Sequence, residues 1–409
     1  MQKYLSKRAR GAKRSAIREL LKLTEQPDII SFAGGLPAPE TFPHEEFAEI
    51  AADELHEHYD NALQYGLTEG SLTLRNAVIE WLRPREPGLS IDHILVTTAS
   101  QQALDLLSKA FLDPGDVIFV EAPTYLAALQ TFSLFEADKV PVSLEEDGMN
   151  LDILEQEIAR GRQAGKTLKA VYVVPDFQNP SGITMSLDKR KRLLEIASRE
   201  DLLIFEDDPY GQLRFSGEPL PSIRSLDNEG RVILLTTFSK VLAAGMRLGF
   251  MIADPPFMDV LVRVKQATDL CTSKLIQHIA ARYIRDYDIE QHLREIREIY
   301  HVKRDAMVEA LERHMPEDEG ITWTNPEGGL FLWVRLPESI DTEEMFPQAV
   351  ENKVAYVVGK AFYVDGRGKN EMRLSFSVGS PERIEEGIRR LSKVVREQID
   401  AKKVQSVSA

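Results

Sequence analysis

Val232-Ile233-Leu234-Leu235-Thr236-Thr237-Phe238-Ser239-Lys240 is the stretch from which the fold is read. Four consecutive aliphatic residues leave no polar face, so they predict a strand covered by helices on both sides. The run ends in hydroxyls, an aromatic ring and a lysine, and Gly245-Met246-Arg247 follow shortly after. In open α/β sheets, ligands collect beyond the carboxyl ends of the strands. The chemistry is therefore to be sought at this end of the run and of its neighbours.

Working outward, similar apolar runs are Ile94-Leu95-Val96, Val117-Ile118-Phe119-Val120, Ala170-Val171-Tyr172-Val173-Val174, Leu202-Leu203-Ile204-Phe205 and Phe250-Met251-Ile252. Amphipathic segments such as residues 102–112 and 186–200 alternate with them, which is the signature of α/β layers. The residues that follow the runs are Ala99-Ser100-Gln101, Glu121-Ala122-Pro123-Thr124-Tyr125, Asp176-Phe177-Gln178-Asn179-Pro180-Ser181-Gly182 and Glu206-Asp207-Asp208-Pro209-Tyr210. Together with Lys240 and Arg247 they supply small donors, an aromatic ring, carboxylates, a phenol, an amide, an amine and a guanidinium. That set can hold a phosphorylated aromatic ring. Ser100 and Gln101 open a helix, where backbone amides favour an anion.

A long amphipathic run over residues 289–314 breaks the α/β rhythm. Strand-like segments at residues 329–335 and 372–377 and a last helix over residues 381–398 follow it. This predicts a smaller α+β domain, with the polar tail from Ala401 frayed. The expected division is an N-terminal arm (1–44) packing with the small domain, a large ligand-binding domain (45–288) and a small C-terminal domain (289–409).

Composition excludes several function classes. The chain has 409 residues, 43% of them hydrophobic, which is ample for a large core. A net charge of −15 speaks against a nucleic-acid surface. No stretch approaches the ~20 apolar residues of a membrane span, and the basic first 18 residues lack the apolar core of a secretory signal. The single cysteine, Cys271, suits a reducing cytoplasm. His56-Glu57-His58 does not place two imidazoles on one helix face, so no metal site is expected. There is no Gly-x-Gly-x-x-Gly after a strand and no Walker-type loop.

Over residues 15–391 the sequence resembles the class I/II aminotransferases of pyridoxal-phosphate fold type I, in particular the 2-aminoadipate (LysN-like) and kynurenine/aminoadipate branch. The resemblance is carried by Ser15-Ala16-Ile17-Arg18-Glu19-Leu20-Leu21, Ser31-Phe32-Ala33-Gly34-Gly35-Leu36-Pro37, Leu63-Gln64-Tyr65, Thr68-Glu69-Gly70, Phe177-Gln178-Asn179-Pro180-Ser181-Gly182, Phe238-Ser239-Lys240 and Met372-Arg373-Leu374-Ser375. It implies a large domain with a mostly parallel mixed sheet covered by helices on both faces, plus the smaller α+β domain. It also implies pyridoxal 5′-phosphate as cofactor, a homodimer with shared active sites, and amino acids and 2-oxo acids as substrates.

The resemblance further assigns roles. Lys240 joins the cofactor through an imine and afterwards moves the Cα proton. An ordinary lysine, near about 10.4, is a poor base at neutral pH, so the site must depress it. Asp207, at the family's Asp-x-x-Tyr spacing to Tyr210, faces the ring nitrogen, and Tyr210 and Asn179 bond the ring oxygen. Tyr125 stacks on the ring. Ser100, Gln101, Thr237, Ser239 and Arg247 hold the phosphate, and Tyr65 reaches it from the neighbouring subunit. Arg373 forks the substrate carboxylate, a task that suits a planar guanidinium. Gly34 and Gly35 let the backbone close over the substrate, and Arg18 meets a side-chain carboxylate.

Three positions depart from the family pattern: Ala99 and Thr236 stand where glycine is common, and Ala243-Ala244-Gly245 replaces an Ala/Ser-Pro-Gly. The expected reaction is transfer of an amino group between an L-amino acid (glutamate, 2-aminoadipate, or an aromatic or branched-chain one) and a 2-oxo acid such as 2-oxoglutarate. A carbon–sulfur β-lyase on the same scaffold is the alternative. A non-enzymatic regulator is disfavoured, because about thirty residues before Gly34-Gly35 are too few for a DNA-binding module.

Overall fold

The structure is a computed structural model that describes residues 2–11, 28–317 and 319–408. Its centre is an eight-stranded sheet of β2 (Ile94–Thr97), β3 (Val117–Ala122), β4 (Asp138–Glu145), β5 (Gly148–Met149), β6 (Leu168–Val173), β7 (Leu203–Asp208), β8 (Val232–Thr237) and β9 (Gly249–Ile252). The spatial order is β2-β9-β8-β7-β6-β3-β4-β5. From β8 through β7, β6 and β3 to β4 every pairing is parallel, whereas β9 and β5 run antiparallel to their neighbours. The sheet is thus mostly parallel and mixed, as expected for fold type I. Its central strands are buried along nearly their whole length, which is why their sequences read as unbroken apolar runs.

Helices cover both faces. Ala99–Phe111 follows β2 and Leu187–Glu200 precedes β7, the latter capped by the Ser186 hydroxyl. Two apolar clusters result. The larger one continues into the second body of the molecule, and the smaller one lies among β3, β6 and the helices Leu151–Gln163 and Leu187–Glu200.

The 26-residue helix Ile289–His314 leads into a second body of structure. This body holds an antiparallel sheet in the order β10 (Thr322–Trp323), β11 (Phe331–Arg335), β14 (Glu371–Ser375) and β13 (Val357–Val358). From Ile30 the N-terminal segment meets this body, whereas Lys7 and Arg8 lie against Glu136 and Phe135 beside the large sheet. The short strand β1 (Ile30–Ser31) pairs in parallel with β12 (Val354–Ala355), and the Tyr300 hydroxyl accepts from the Ala38 amide at 3.0 Å.

One expectation is corrected. The last helix does not end near residue 398 with a frayed tail but runs from Pro381 to Ser408. On this extension Lys403 Nζ lies 2.5 Å from Glu319 Oε1.

Candidate active site

The carboxyl ends of β3, β6, β7 and β8 bring one set of polar side chains together. Lys240 lies in a π-helical turn, Ser239–Ala243, directly after β8. Such turns are frequent at functional positions. Its Nζ donates to the Gly35 carbonyl at 2.6 Å, so the N-terminal segment closes over the amine. Burial first, then the charges of Arg373 and Arg247, push this amine down from its ordinary 10.5 to about 8.

One strand away, Asp207 is almost completely buried near the end of β7. Its Oδ2 accepts a hydrogen bond from the Tyr172 hydroxyl at 2.7 Å, while its Oδ1 is buried and has no partner among the described residues. Burial pushes Asp207 up to about 7, the Tyr172 bond opposes that, and Asp208 adds to it. Strand alternation turns Asp208 elsewhere. It accepts from the Gly211 amide at 2.6 Å and faces Arg85 at 3.5 Å. The two adjacent acids therefore occupy different environments.

Asn179 and Arg373 form the next link. Arg373 Nη1 donates to Asn179 Oδ1 at 2.9 Å and Nη2 donates to the Ala33 carbonyl at 2.7 Å, leaving Nε buried without a partner among the described residues. The guanidinium lies between two rings, 4.3 Å from the centroid of Phe331 and 5.3 Å from that of Phe362. Asn179 Nδ2 is 3.5 Å from the Tyr210 hydroxyl. Burial raises the Tyr210 phenol well above its ordinary range, so it stays protonated. Tyr125 precedes the helix Leu126–Leu134 at the end of the β3 connection, close enough to Tyr210 and Arg373 to shift both electrostatically.

Small donors gather beside this set. Ser100 and Gln101 sit in the first turn of Ala99–Phe111, with Gln101 Nε2 donating to Thr131 Oγ1 at 3.0 Å. Thr237 Oγ1 lies 2.8 Å from Ser239 Oγ and 3.1 Å from the Ser239 amide, and Arg247 Nη1 lies 3.5 Å from Ser239 Oγ. The departures at Ala99 and Thr236 now have a structural setting. Ala99 adopts the left-handed backbone, φ 59°, that glycine takes without strain. The close packing is supplied by Gly249 instead, where a Cβ would lie 2.6 Å from the Thr236 carbonyl oxygen and 3.0 Å from Ala99 Cα.

Tyr65 stands apart, 76% exposed, on a surface shared with Tyr59, Leu63 and Leu67. Arg18 lies outside the described residues. The sequence reading missed three supporting residues, Tyr172 and the ring pair Phe331 and Phe362, and gave no role to Glu121, which is buried. Glu121 Oε2 accepts from the Val174 amide and from Gln178 Nε2, both at 3.1 Å, and Gln178 Oε1 in turn accepts from the Ser181 amide at 2.9 Å. These bonds pin the loop that carries Asn179. A hydroxyl inside an apolar strand run is the signal at Tyr172; the two phenylalanines carry none.

A mostly parallel sheet with an amine, a buried acid and an anion-friendly helix start at its carboxyl edge defines a cofactor-dependent group-transfer fold. The chain belongs to the aminotransferase class I and II family, whose model matches residues 28–391. It is 50% identical over 399 residues to aromatic-amino-acid aminotransferase 1 of Thermococcus litoralis, covering 97% of this chain and 95% of that one. It is 42% identical over 385 residues to the 2-aminoadipate transaminase of Thermus thermophilus, covering 93% and 94%. Among solved structures it is similar to Pyrococcus horikoshii kynurenine aminotransferase in complex with PMP, with a TM-score of 0.93 and 49% identity over 97% of this chain and 98% of that one.

The protein is therefore an aminotransferase, near the LysN-like branch, and its cofactor is pyridoxal 5′-phosphate. The site fits that group on its own terms. A buried acid oxygen is left open for a ring N–H, the amine is depressed toward neutrality, and the Thr237 and Ser239 hydroxyls with Arg247 beside them suit a phosphate. Among the described residues, no helix is long and apolar enough to cross a membrane and no His/Cys/Asp/Glu group could hold a metal ion.

Proposed function

We propose that this aminotransferase moves the amino group between an L-amino acid (glutamate, 2-aminoadipate, and aromatic or branched-chain donors) and a 2-oxo acid such as 2-oxoglutarate. The observation that carries this reading is Arg373. It is buried, held by Asn179 and the Ala33 carbonyl and flanked by two rings, in the manner of a fork prepared for a carboxylate. The names of the similar proteins support the substrate range, since they act on aromatic amino acids, 2-aminoadipate and kynurenine.

In this account Lys240 would hold the cofactor covalently, Asp207 would serve its ring nitrogen, and Tyr210 and Asn179 its ring oxygen. Tyr125 would pack on the ring. Ser100, Gln101, Thr237, Ser239 and Arg247 would hold the phosphate, with Tyr65 of a second copy. When bound, pyridoxal phosphate supplies an electron sink for the bond broken at the substrate Cα. Arg373 orients the substrate by its carboxylate, which fixes the direction of the Cα–H bond. Gly35, whose carbonyl touches Lys240, closes the backbone over the substrate. Lys240, once its amine is free, would take the Cα proton, and burial, which depresses its pKa, favours the neutral, basic form. Arg18 is assigned to a donor's side-chain carboxylate.

The unit boundaries 1–44, 45–288 and 289–409, a homodimeric state and a cytoplasmic location belong to the same proposal. The exposed Tyr65 surface supports the dimer and the lone Cys271 supports the location.

A single turnover with glutamate and no oxo acid tests the reaction. One equivalent of 2-oxoglutarate per site, without ammonia, supports transfer. Ammonia and pyruvate released from cysteine conjugates would favour the β-lyase. In a donor panel, Arg18→Ala loses glutamate and 2-aminoadipate activity selectively; equal losses for leucine and phenylalanine would remove Arg18 from the account.

A further inference from the structure

We propose that Tyr172 is the positioning residue for Asp207, fixing which carboxylate oxygen is offered to the cofactor ring nitrogen. This rests on the reading of Asp207 given above. Tyr172 lies on β6, the strand beside β7, and its hydroxyl donates to Asp207 Oδ2 at 2.7 Å. Both side chains are at most 1% exposed. The other oxygen, Oδ1, is left without a partner among the described residues. A carboxylate bonded on one oxygen only can no longer turn freely about its Cβ–Cγ bond, so the open oxygen has a fixed direction.

Charge adds a second effect of the bond. The groups that act on Asp207 and Tyr172 are Asp208, Glu121, Tyr125 and Tyr210, all acids or phenols. None of them is a cation that would hold Asp207 ionised, and dry surroundings favour its neutral form. The Tyr172 hydroxyl works against that, because a hydrogen bond to the charged form stabilises it. Burial and the neighbouring Asp207 lift the Tyr172 phenol well above its ordinary value, so it stays a donor across the working pH range. Its ring is seated edge-on against Phe132, with centroids 5.4 Å apart. Tyr172→Phe therefore removes the hydroxyl and leaves the packing.

The test uses the full chain loaded with pyridoxal phosphate carrying a 15N-labelled ring. For Tyr172→Phe we expect roughly tenfold weaker cofactor affinity, the scale of a hydrogen bond to a charged group, with the ring 15N resonance moved toward the unprotonated value. In an Asp207→Asn background, Tyr172→Phe adds nothing further. Wild-type affinity and 15N shift in Tyr172→Phe, with both altered in Asp207→Asn, would overturn this inference and leave the reading of Asp207 standing. An unchanged 15N shift in Asp207→Asn would overturn both. Phe132→Leu loosens the packing and keeps the hydroxyl. It should lower the melting temperature without moving the resonance, and an equal shift there would show that the hydroxyl has no special part.

Discussion

Arg373 and Asn179, 194 positions apart in sequence, meet at 2.9 Å, Nη1 to Oδ1, where β14 of the smaller sheet faces the loop after β6. The contact ties the proposed carboxylate fork to the proposed ring-oxygen ligand. Substrate docking and cofactor geometry thus share one hydrogen bond.

Arg373→Lys keeps the charge and loses the planar fork. It is expected to lower kcat/KM about a hundredfold for every donor, within the ~2–5 kcal/mol range for breaking a buried hydrogen-bonded charge. Cofactor loading, followed by visible absorbance, stays near wild type. Unchanged kcat/KM across a donor panel would separate Arg373 from substrate binding.

The Lys240 amine gives a pH prediction with a definite sign. Neighbouring cations and burial disfavour its ammonium form, which lowers its pKa to about 8. In the cofactor-free protein, the rate of imine formation with an aldehyde should rise with pH and level off above about 8, where the amine is mostly neutral. Arg373→Ala removes the larger of the two cationic influences, so the midpoint should move to higher pH. A wild-type midpoint near the ordinary 10.5 would contradict the site electrostatics.

The exposed Tyr65 surface leads to a complementation experiment. Tyr65→Ala should weaken cofactor affinity, and Lys240→Ala should abolish covalent loading. If each site borrows Tyr65 from a second copy, a mixture of the two variants assembles some dimers with one intact site. At cofactor concentrations too low for Tyr65→Ala alone, the mixture should regain activity that neither parent has. A monomer by sedimentation, or no regain on mixing, would count against a shared site.

Much of this arrangement was legible because burial writes itself into sequence. Val232-Ile233-Leu234-Leu235 is all apolar because β8 is covered on both faces, and the 289–314 run reads as a helix because its apolar spacing is maintained throughout. β4 was missed. It is half-buried and charged at both ends, and Pro141 interrupts the alternation of Val140, Val142 and Leu144, so it lacks the unbroken apolar run that marks the buried strands. The antiparallel course of β9 leaves no local trace either. At the site, Lys240, Asp207 and Asn179 stand at strand ends in recognisable spacing. Tyr172 was hidden within an apolar run, because its bond to Asp207 exists only once β6 lies beside β7. The packing at Ala99 depends on Gly249, which lies far away in sequence.

Everything proposed for the site depends on a covalent bond between Lys240 and the cofactor. The direct measurement is to incubate the purified protein with pyridoxal phosphate, reduce with borohydride, digest, and locate the adduct by peptide mass. The account predicts one adduct per chain, on Lys240, and none in Lys240→Ala, whose melting temperature without cofactor stays close to wild type. An adduct on a different lysine, or equal labelling of Lys240→Ala, would contradict it.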